Sequence, residues 1–223
     1  MNNQPLQGHV AVVAGATRGA GRAIAVELGA AGATVYCTGR TTRQQRSDIN
    51  RSESIEETAE MVTAHGGQGI AVQVDHMQPA QVEALFARVA TEQEGRLDIL
   101  VNDIWGGEHL MDWDHPFWQM DLGKAFTMIE RAIFTHMITS RYGVPLMVAR
   151  KQGLIIEVTD GDTWNYRGNL PYDFVKTGVM RLALAQAEEL KAQALHGITA
   201  LAITPGFLRS EQMLDHFGVT AVT

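Results

Sequence analysis

A chain of 223 residues that is 45% hydrophobic can bury a sizeable core, and this length favours one larger α/β domain over two small ones. Its formal charge of −7 leaves no excess of basic residues for a face that neutralises phosphates, so nucleic acid is not an expected partner. The single cysteine, Cys37, excludes an internal disulfide or a thiolate metal cluster, and a strand-packing role in a reducing compartment is expected for it. The opening Met1 to Gln7 has no basic stretch leading into an apolar core. No run approaches the ~18 apolar residues of a spanning helix, so a cytoplasmic protein away from the membrane is expected.

Short apolar runs alternate with longer helical patterns along the chain. Val10 to Ala14 predicts a buried strand, Gly19 to Ala31 a helix and Ala33 to Thr38 a second strand. A charged segment, Arg40 to Glu53, follows, and the composition of Thr41 to Ser54, rich in Arg, Gln, Ser and Asp, predicts a mobile surface loop. Next come a helix over Ser54 to His65, a strand over Gly69 to Val74, a helix over Pro79 to Glu94 and a strand over Leu97 to Val101. A long helical stretch from Pro116 to Ala149 leads to a strand at Leu154 to Val158, a helix from Tyr172 to Ala194 and a strand at Ile198 to Ile203. Strands that are apolar throughout and separated by helices imply an α/β fold, a doubly wound parallel sheet with helices on both faces. The whole of 1–223 reads as one domain, with no repeat, low-complexity tract or linker.

Two strings carry the chemistry. Gly15-Ala16-Thr17-Arg18-Gly19-Ala20-Gly21 lies directly after the first strand and opens a helix. There the backbone can approach a pyrophosphate closely, and the helix N-terminus supplies N–H groups and a partial positive charge. Its spacing, Gly15-x-x-x-Gly19-x-Gly21, differs from the commoner G-x-G-x-x-G. The second string, Tyr172-Asp173-Phe174-Val175-Lys176, sets a phenol and an ammonium four residues apart on one helix face. Cofactor choice is read at the end of the second strand, where NAD enzymes place an acid for the ribose. Residues 36 to 42 contain none, whereas Arg40 lies 19 residues beyond Gly21 and Arg18 sits inside the loop. Two guanidinium groups suit a 2′-phosphate, which favours NADP(H) over NAD(H).

The glycine loop, Asp75 after the third strand, Asn102 after the fourth, Tyr172 with Lys176, and Pro205-Gly206 after the sixth stand in the order of a known family. In these residues, and over nearly its whole length, the chain resembles the short-chain dehydrogenases/reductases. The resemblance implies a Rossmann-type fold and a hydride transfer that interconverts a carbonyl and an alcohol. It implies that Asp75, with His76 beside it, contacts the adenine end, that Asn102 stabilises the sheet near the cofactor, and that Lys176 reaches the ribose hydroxyls. Ser210 matches a hydroxyl that contacts the nicotinamide amide. With Gly15, Thr17, Arg18, Gly19, Ala20, Gly21, Arg40, Pro205 and Gly206, these residues make the expected cofactor site. A homodimer or homotetramer is implied as well.

In the mechanism the resemblance implies, Tyr172 exchanges a proton with the substrate oxygen. An unperturbed phenol titrates near 10, and a neighbouring Lys176 ammonium, together with the positive nicotinamide of the oxidised cofactor, is expected to lower that value. Three departures from the family pattern bear on this chemistry. A serine usually stands 12 or 13 residues before the tyrosine, and here those positions are Asp160 and Thr159. Thr159 can take the hydroxyl's part, Asp160 can work protonated, or Asp160 can face away and cap a turn. No asparagine stands between Asn102 and Asn165, although many members relay protons through one in that interval. Finally, Asn102-Asp103-Ile104-Trp105 replaces the usual Asn-Asn-Ala-Gly and brings an indole near the nicotinamide pocket.

Trp105, Trp113 and Trp118 follow the fourth strand, and Trp164 precedes Tyr172. Trp105, Trp113 and Trp164 predict a cavity for a small hydrophobic or aromatic carbonyl compound or alcohol. Glu108, His109, Asp112, Asp114 and His115 lack a known ligand spacing, so no metal is expected. There is also no G-x-S-x-G elbow of a hydrolase. Only 17 residues follow Gly206, so the substrate-covering lid, begun by Glu211 to Phe217, and a seventh strand are expected to be missing or truncated. The reading that competes with an NADP(H)-dependent oxidoreductase is a cofactor-binding sensor or scaffold of weak turnover.

Overall fold

Residues 4–161 and 165–220 are described by a computed structural model. Strand β1 (Val10–Ala14) shows why its apolar run is unbroken: Val10 and Val12 pack on one side of the sheet, Ala11 and Val13 on the other. The chain continues through α1 (Gly19–Ala30), β2 (Thr34–Gly39), α2 (Ile55–Ala64), β3 (Gln68–Gln73), α3 (Pro79–Glu92) and β4 (Ile99–Asn102). After the insertion come α4 (Leu122–Ile129), α5 (Thr135–Arg150), β5 (Gly153–Val158), α6 (Leu170–Ala192), β6 (Ile198–Ile203) and α7 (Glu211–Phe217). The strands pair in parallel in the order β3-β2-β1-β4-β5-β6, the doubly wound order.

One face of the sheet packs on α3 and α5 through Val82, Phe86 and Met147. The other packs on α1 and α2 through Ala25, Val26 and Val62. Cys37 lies in this second core, where burial pushes its thiol up to about 12, in keeping with a packing role. Ser54 starts α2 by accepting a hydrogen bond from the Glu57 N–H at 3.2 Å, which ends the charged loop. Among the described residues no helix is long and apolar enough to cross a membrane.

The expected elements stand within two residues of their places, with one exception. The stretch from Pro116 is not one helix. A single 3₁₀ turn, Phe117–Gln119, ends at an extended Met120, and Asp121 then caps α4 by accepting from the Lys124 N–H at 3.1 Å. Between α4 and α5 the helix widens into a π turn, Glu130–Phe134. Apolar periodicity alone registers neither event; the local signal for the first was Asp121, whose side chain caps the new helix.

Candidate active site

In a doubly wound sheet the crevice forms beyond the strand C-termini where the winding reverses, here between β1 and β4. A cleft of about 410 Å³ opens there. Gly15 turns the chain out of β1 with φ +90, and a Cβ on it would lie 2.3 Å from the Asp103 carbonyl oxygen. A Cβ on Gly21 would lie 2.3 Å from the Gly15 carbonyl oxygen, so loop and helix can approach this closely only with glycine. The loop holds an anion already. The Gly19 N–H donates to Glu211 Oε2 at 2.8 Å, while Glu211 Oε1 stands 3.5 Å from Arg22. An α1 N-terminus that seats a carboxylate has the donors a pyrophosphate needs.

The cleft is lined by most of the residues singled out from the sequence: Gly15, Thr17, Arg18, Gly19, Ala20, Arg40, Asp75, His76, Pro205, Gly206 and Ser210. Arg18 pairs with Glu108 at 2.7 Å, and Arg40 with Asp48 at 3.0 Å. Asp75 accepts from the Met77 N–H at 3.0 Å, and Ser210 caps α7. Both His76 ring nitrogens are engaged, by Thr38 at 2.9 Å and Thr139 at 2.8 Å; burial drives its pKa down to about 3, so the ring is neutral. Asn102 and Gly21 are not among the lining residues. Asn102 turns into the sheet, where its amide donates to Ser140 at 3.1 Å and Glu157 at 3.0 Å, and it supports the cleft from behind.

Tyr172 and Lys176 rise from the first turns of α6, which starts where Asn169 accepts a hydrogen bond from the Tyr172 N–H at 3.1 Å. The Tyr172 hydroxyl donates to Asp160 Oδ2. Lys176 Nζ lies 3.2 Å from Asp160 Oδ1, and Arg167 Nη2 lies 2.9 Å from Oδ2. Of the three arrangements open to Thr159 and Asp160, a turn-capping Asp160 is therefore overturned: the carboxylate faces the phenol. Burial would raise the Asp160 pKa, but the Lys176 charge, the Tyr172 hydroxyl and Arg167 outweigh it and hold the carboxyl below its usual range, so Asp160 is ionised rather than protonated. Thr159 directs its hydroxyl into the fold, donating to the Lys176 carbonyl at 2.9 Å and accepting from the Gly161 N–H at 3.1 Å.

Lys176 by itself does not lower the Tyr172 pKa in this arrangement. Burial and the hydrogen bond to the Asp160 carboxylate push it well above the ordinary phenol value. Lys176 stands beside Asp160, which answers its charge. The Lys176 ammonium also lies 4.1 Å from the centre of the Trp105 ring. Trp105 and Trp113 pack edge-on against the Tyr172 ring, with centroids 5.6 and 5.4 Å away. Both indoles thus border the phenol ring, but Trp105 lines the cleft whereas Trp113, expected there, is not among its lining residues and is 52% exposed; Trp118 is 71% exposed. Trp164 lies outside the described residues.

Three charged groups escaped the sequence reading. Glu157 is fully buried in β5, where it meets His136 Nδ1 at 2.6 Å and accepts from Asn102 and Gln186. A glutamate inside Gly153-Leu154-Ile155-Ile156-Glu157-Val158 was the available signal, since a charge in an apolar strand requires partners. Arg131, on the π turn, shares Asp48 with Arg40. Asp103 lies beneath the glycine loop, and burial pushes its carboxyl up to about 7. A folded pKa above the unfolded one, about 3.9, makes the protein lose stability as pH rises through that interval. Asp103→Asn should flatten the loss, so that urea midpoints at pH 4.5 and 7.5 differ less in the variant than in the wild type.

Comparison with known proteins agrees with this geometry. The family described as short chain dehydrogenase matches residues 9–217. The human "Dehydrogenase/reductase SDR family member 1" is 35% identical over 95% of this chain, which spans 64% of that protein's length. The "NADPH-dependent aldehyde reductase-like protein, chloroplastic" of Arabidopsis thaliana is 30% identical over 95% of the chain and 76% of its own length. Among solved structures, a metagenomic short-chain oxidoreductase in complex with NADP superposes with a TM-score of 0.75 at 27% identity, covering 92% of this chain and 85% of that one. With the doubly wound sheet, the glycine loop and the Tyr172/Lys176 pair in one cleft, the chain belongs to the short-chain dehydrogenases/reductases, a family of NAD(P)-dependent oxidoreductases.

Proposed function

We propose that this protein is an NADP(H)-dependent oxidoreductase that interconverts a carbonyl and an alcohol on a small hydrophobic or aromatic substrate, with Tyr172 as the acid/base. The observation that carries the reading is the convergence of the Tyr172 hydroxyl, the Lys176 ammonium and the glycine loop on one cleft. Gly15 and Gly19 would hold the pyrophosphate, and Arg18 and Arg40 the 2′-phosphate. When bound, a nicotinamide dinucleotide supplies or accepts the hydride. The protein's own part is the proton: for carbonyl reduction Tyr172 gives its hydroxyl proton to the substrate oxygen as the alcohol O–H forms. The Asp160 carboxylate accepts this proton in the resting arrangement and makes the phenol a weaker acid, so the hydroxyl must leave that hydrogen bond for the substrate oxygen in the step. Trp105 lines the cleft against the Tyr172 ring and supports an apolar substrate.

NADPH consumption against bulky aromatic and aliphatic ketones, aldehydes and quinones tests the reading. Turnover that no member of the panel elicits, with NADPH bound, would move it to the cofactor-binding sensor or scaffold. Asp160 carries its own expectation. In Asp160→Ser the Lys176 charge has no carboxylate to answer it, so Tyr172 ionises at lower pH. Alcohol oxidation at pH 8 should then rise about tenfold and its pH profile shift down by about one unit. An unchanged profile would show that Asp160 does not govern the phenol.

A cytoplasmic setting belongs to the same proposal, and the formal charge of −7 supports the absence of a nucleic-acid partner. Exposed Phe126, Phe134 and Met137 on the α4 to α5 stretch, with Phe174 and Leu184 on α6, support a homodimer or homotetramer. Sedimentation velocity measures that state.

A further inference from the structure

No acid stands at the end of β2, yet the fold brings one there. The 41–54 segment leaves β2, and Asp48 returns from it to the strand end. Asp48 Oδ2 lies 3.0 Å from Arg40 Nη2 and 2.9 Å from Arg131 Nη1. The two guanidinium groups come from unrelated elements, Arg40 directly after β2 and Arg131 from the π turn. Arg131 is positioned by donating to the Gly106 carbonyl at 2.9 Å. All three residues line the cleft that contains the glycine loop. The end of β2 is pressed against that loop, since a Cβ on Gly39 would lie 2.7 Å from the Thr17 hydroxyl oxygen.

One carboxylate oxygen shared by two guanidinium groups makes the charge-assisted contacts that a phosphate oxygen makes with arginine. Burial opposes the Asp48 charge, but Arg40 and Arg131 hold the carboxyl below its usual range, so it is an anion at neutral pH. The arrangement is also reversible in principle: the Asp48 side chain is 42% exposed and has solvent to move into. A single carboxylate leaves two guanidinium charges half answered. A phosphate dianion would answer both.

The geometry points to Asp48 as a specificity-determining residue of the cofactor site: its carboxylate competes with the ribose 2′-phosphate of NADP(H) for Arg40 and Arg131. The inference rests on the NADP(H) reading above and adds a residue to it. A 2′-phosphate must displace Asp48 before it can take both arginines. NAD(H), with a hydroxyl there, needs neither guanidinium and leaves Asp48 in place. Asp48 therefore narrows the preference that Arg40 creates.

The test is equilibrium binding without substrate. Dissociation constants for NADPH, NADH and 2′-phosphoadenosine are measured by calorimetry on the wild type, Asp48→Asn, Asp48→Ala and Arg40→Gln. Both Asp48 variants should bind NADPH and 2′-phosphoadenosine about tenfold tighter, the scale of one charge-assisted hydrogen bond, with NADH changed less than about twofold. If Arg40→Gln weakens NADPH binding but neither Asp48 variant strengthens it, the competition is overturned and the NADP(H) reading stands. Equal tightening of NADH and NADPH also overturns it, because the effect then belongs to the loop as a whole. If Arg40→Gln leaves NADPH affinity unchanged, the NADP(H) reading itself fails. Circular dichroism and a thermal melt of each variant separate loss of fold from change of affinity.

Discussion

Tyr172→Phe should lower kcat/KM for carbonyl reduction by about 10³-fold, within the range general acid catalysis contributes, while the NADPH dissociation constant stays within about twofold. The ring is retained, so its edge-on contacts with Trp105 and Trp113 persist and the pocket keeps its shape. Asp160 keeps Lys176 at 3.2 Å and Arg167 at 2.9 Å, so the carboxylate is not left buried without a partner. Only the transferable proton is removed. A parallel loss of NADPH affinity would mean that the hydroxyl organises the cofactor site, and identical turnover in variant and wild type would favour the non-catalytic reading. Steady-state kinetics and calorimetric titration on the same preparation separate these outcomes.

Glu157→Ala should cost about 3–5 kcal/mol of stability, the range for removing one member of a buried ion pair. The pair is enclosed: His136 is 1% exposed and Glu157 0%. His136 Nε2 donates to the Ile104 carbonyl at 3.0 Å, so Nε2 carries a proton whatever its partner does. Burial alone would lower the His136 pKa, but the Glu157 charge and hydrogen bond raise it. Burial likewise opposes ionisation of Glu157, and the His136 charge with the donors Asn102 and Gln186 outweighs it. A raised His136 gives stability that is full below about pH 6.5 and is lost as pH rises through its folded value. A lowered Glu157 gives stability that is present above about pH 4.3 and is lost on acidification. Alanine leaves a buried imidazole without its carboxylate and two amide donors facing a cavity, and for a chain of this size the melting temperature should fall by about 10 °C. Glu157→Gln should recover more than half of the loss, because a carboxamide keeps an acceptor for Asn102 and a donor for a neutral Nδ1. Equal melting of Ala and Gln variants would refute the partnered charge as the cause.

The sheet was legible because its cause is local. Five-residue apolar runs such as Val10 to Ala14, each followed by a helix-length pattern, have few ways to bury both faces other than a doubly wound parallel sheet. The glycine loop was legible from its place directly after β1 and from the contact of Gly21 with the Gly15 carbonyl within the turn, whereas the approach of Gly15 to the Asp103 carbonyl came from β4 and needed the fold. The break at Met120 and Asp121 and the π turn after Ile129 were not legible, because apolar periodicity does not report where backbone hydrogen bonds stop or change partner.

The electrostatics divide differently. Tyr172 and Lys176 are neighbours on one helix by spacing alone, and their convergence with the glycine loop needed only the order of the strands. The sign of the effect on Tyr172 depended on Asp160 and Arg167, which reach the phenol from the segment between β5 and α6. Asp48 reached Arg40 and Arg131 in the same way, from a loop whose composition names its charges but not their partners. The sequence by itself determined the sheet, the glycine loop and the presence of a phenol and an ammonium on one face, because short-range backbone and burial rules govern them. Tertiary structure decided which charges meet: a Coulomb interaction depends on distance through space, and these partners lie 8 to 90 residues apart along the chain, as Arg40 with Asp48 and Arg131 with Asp48 or Arg18 with Glu108 show.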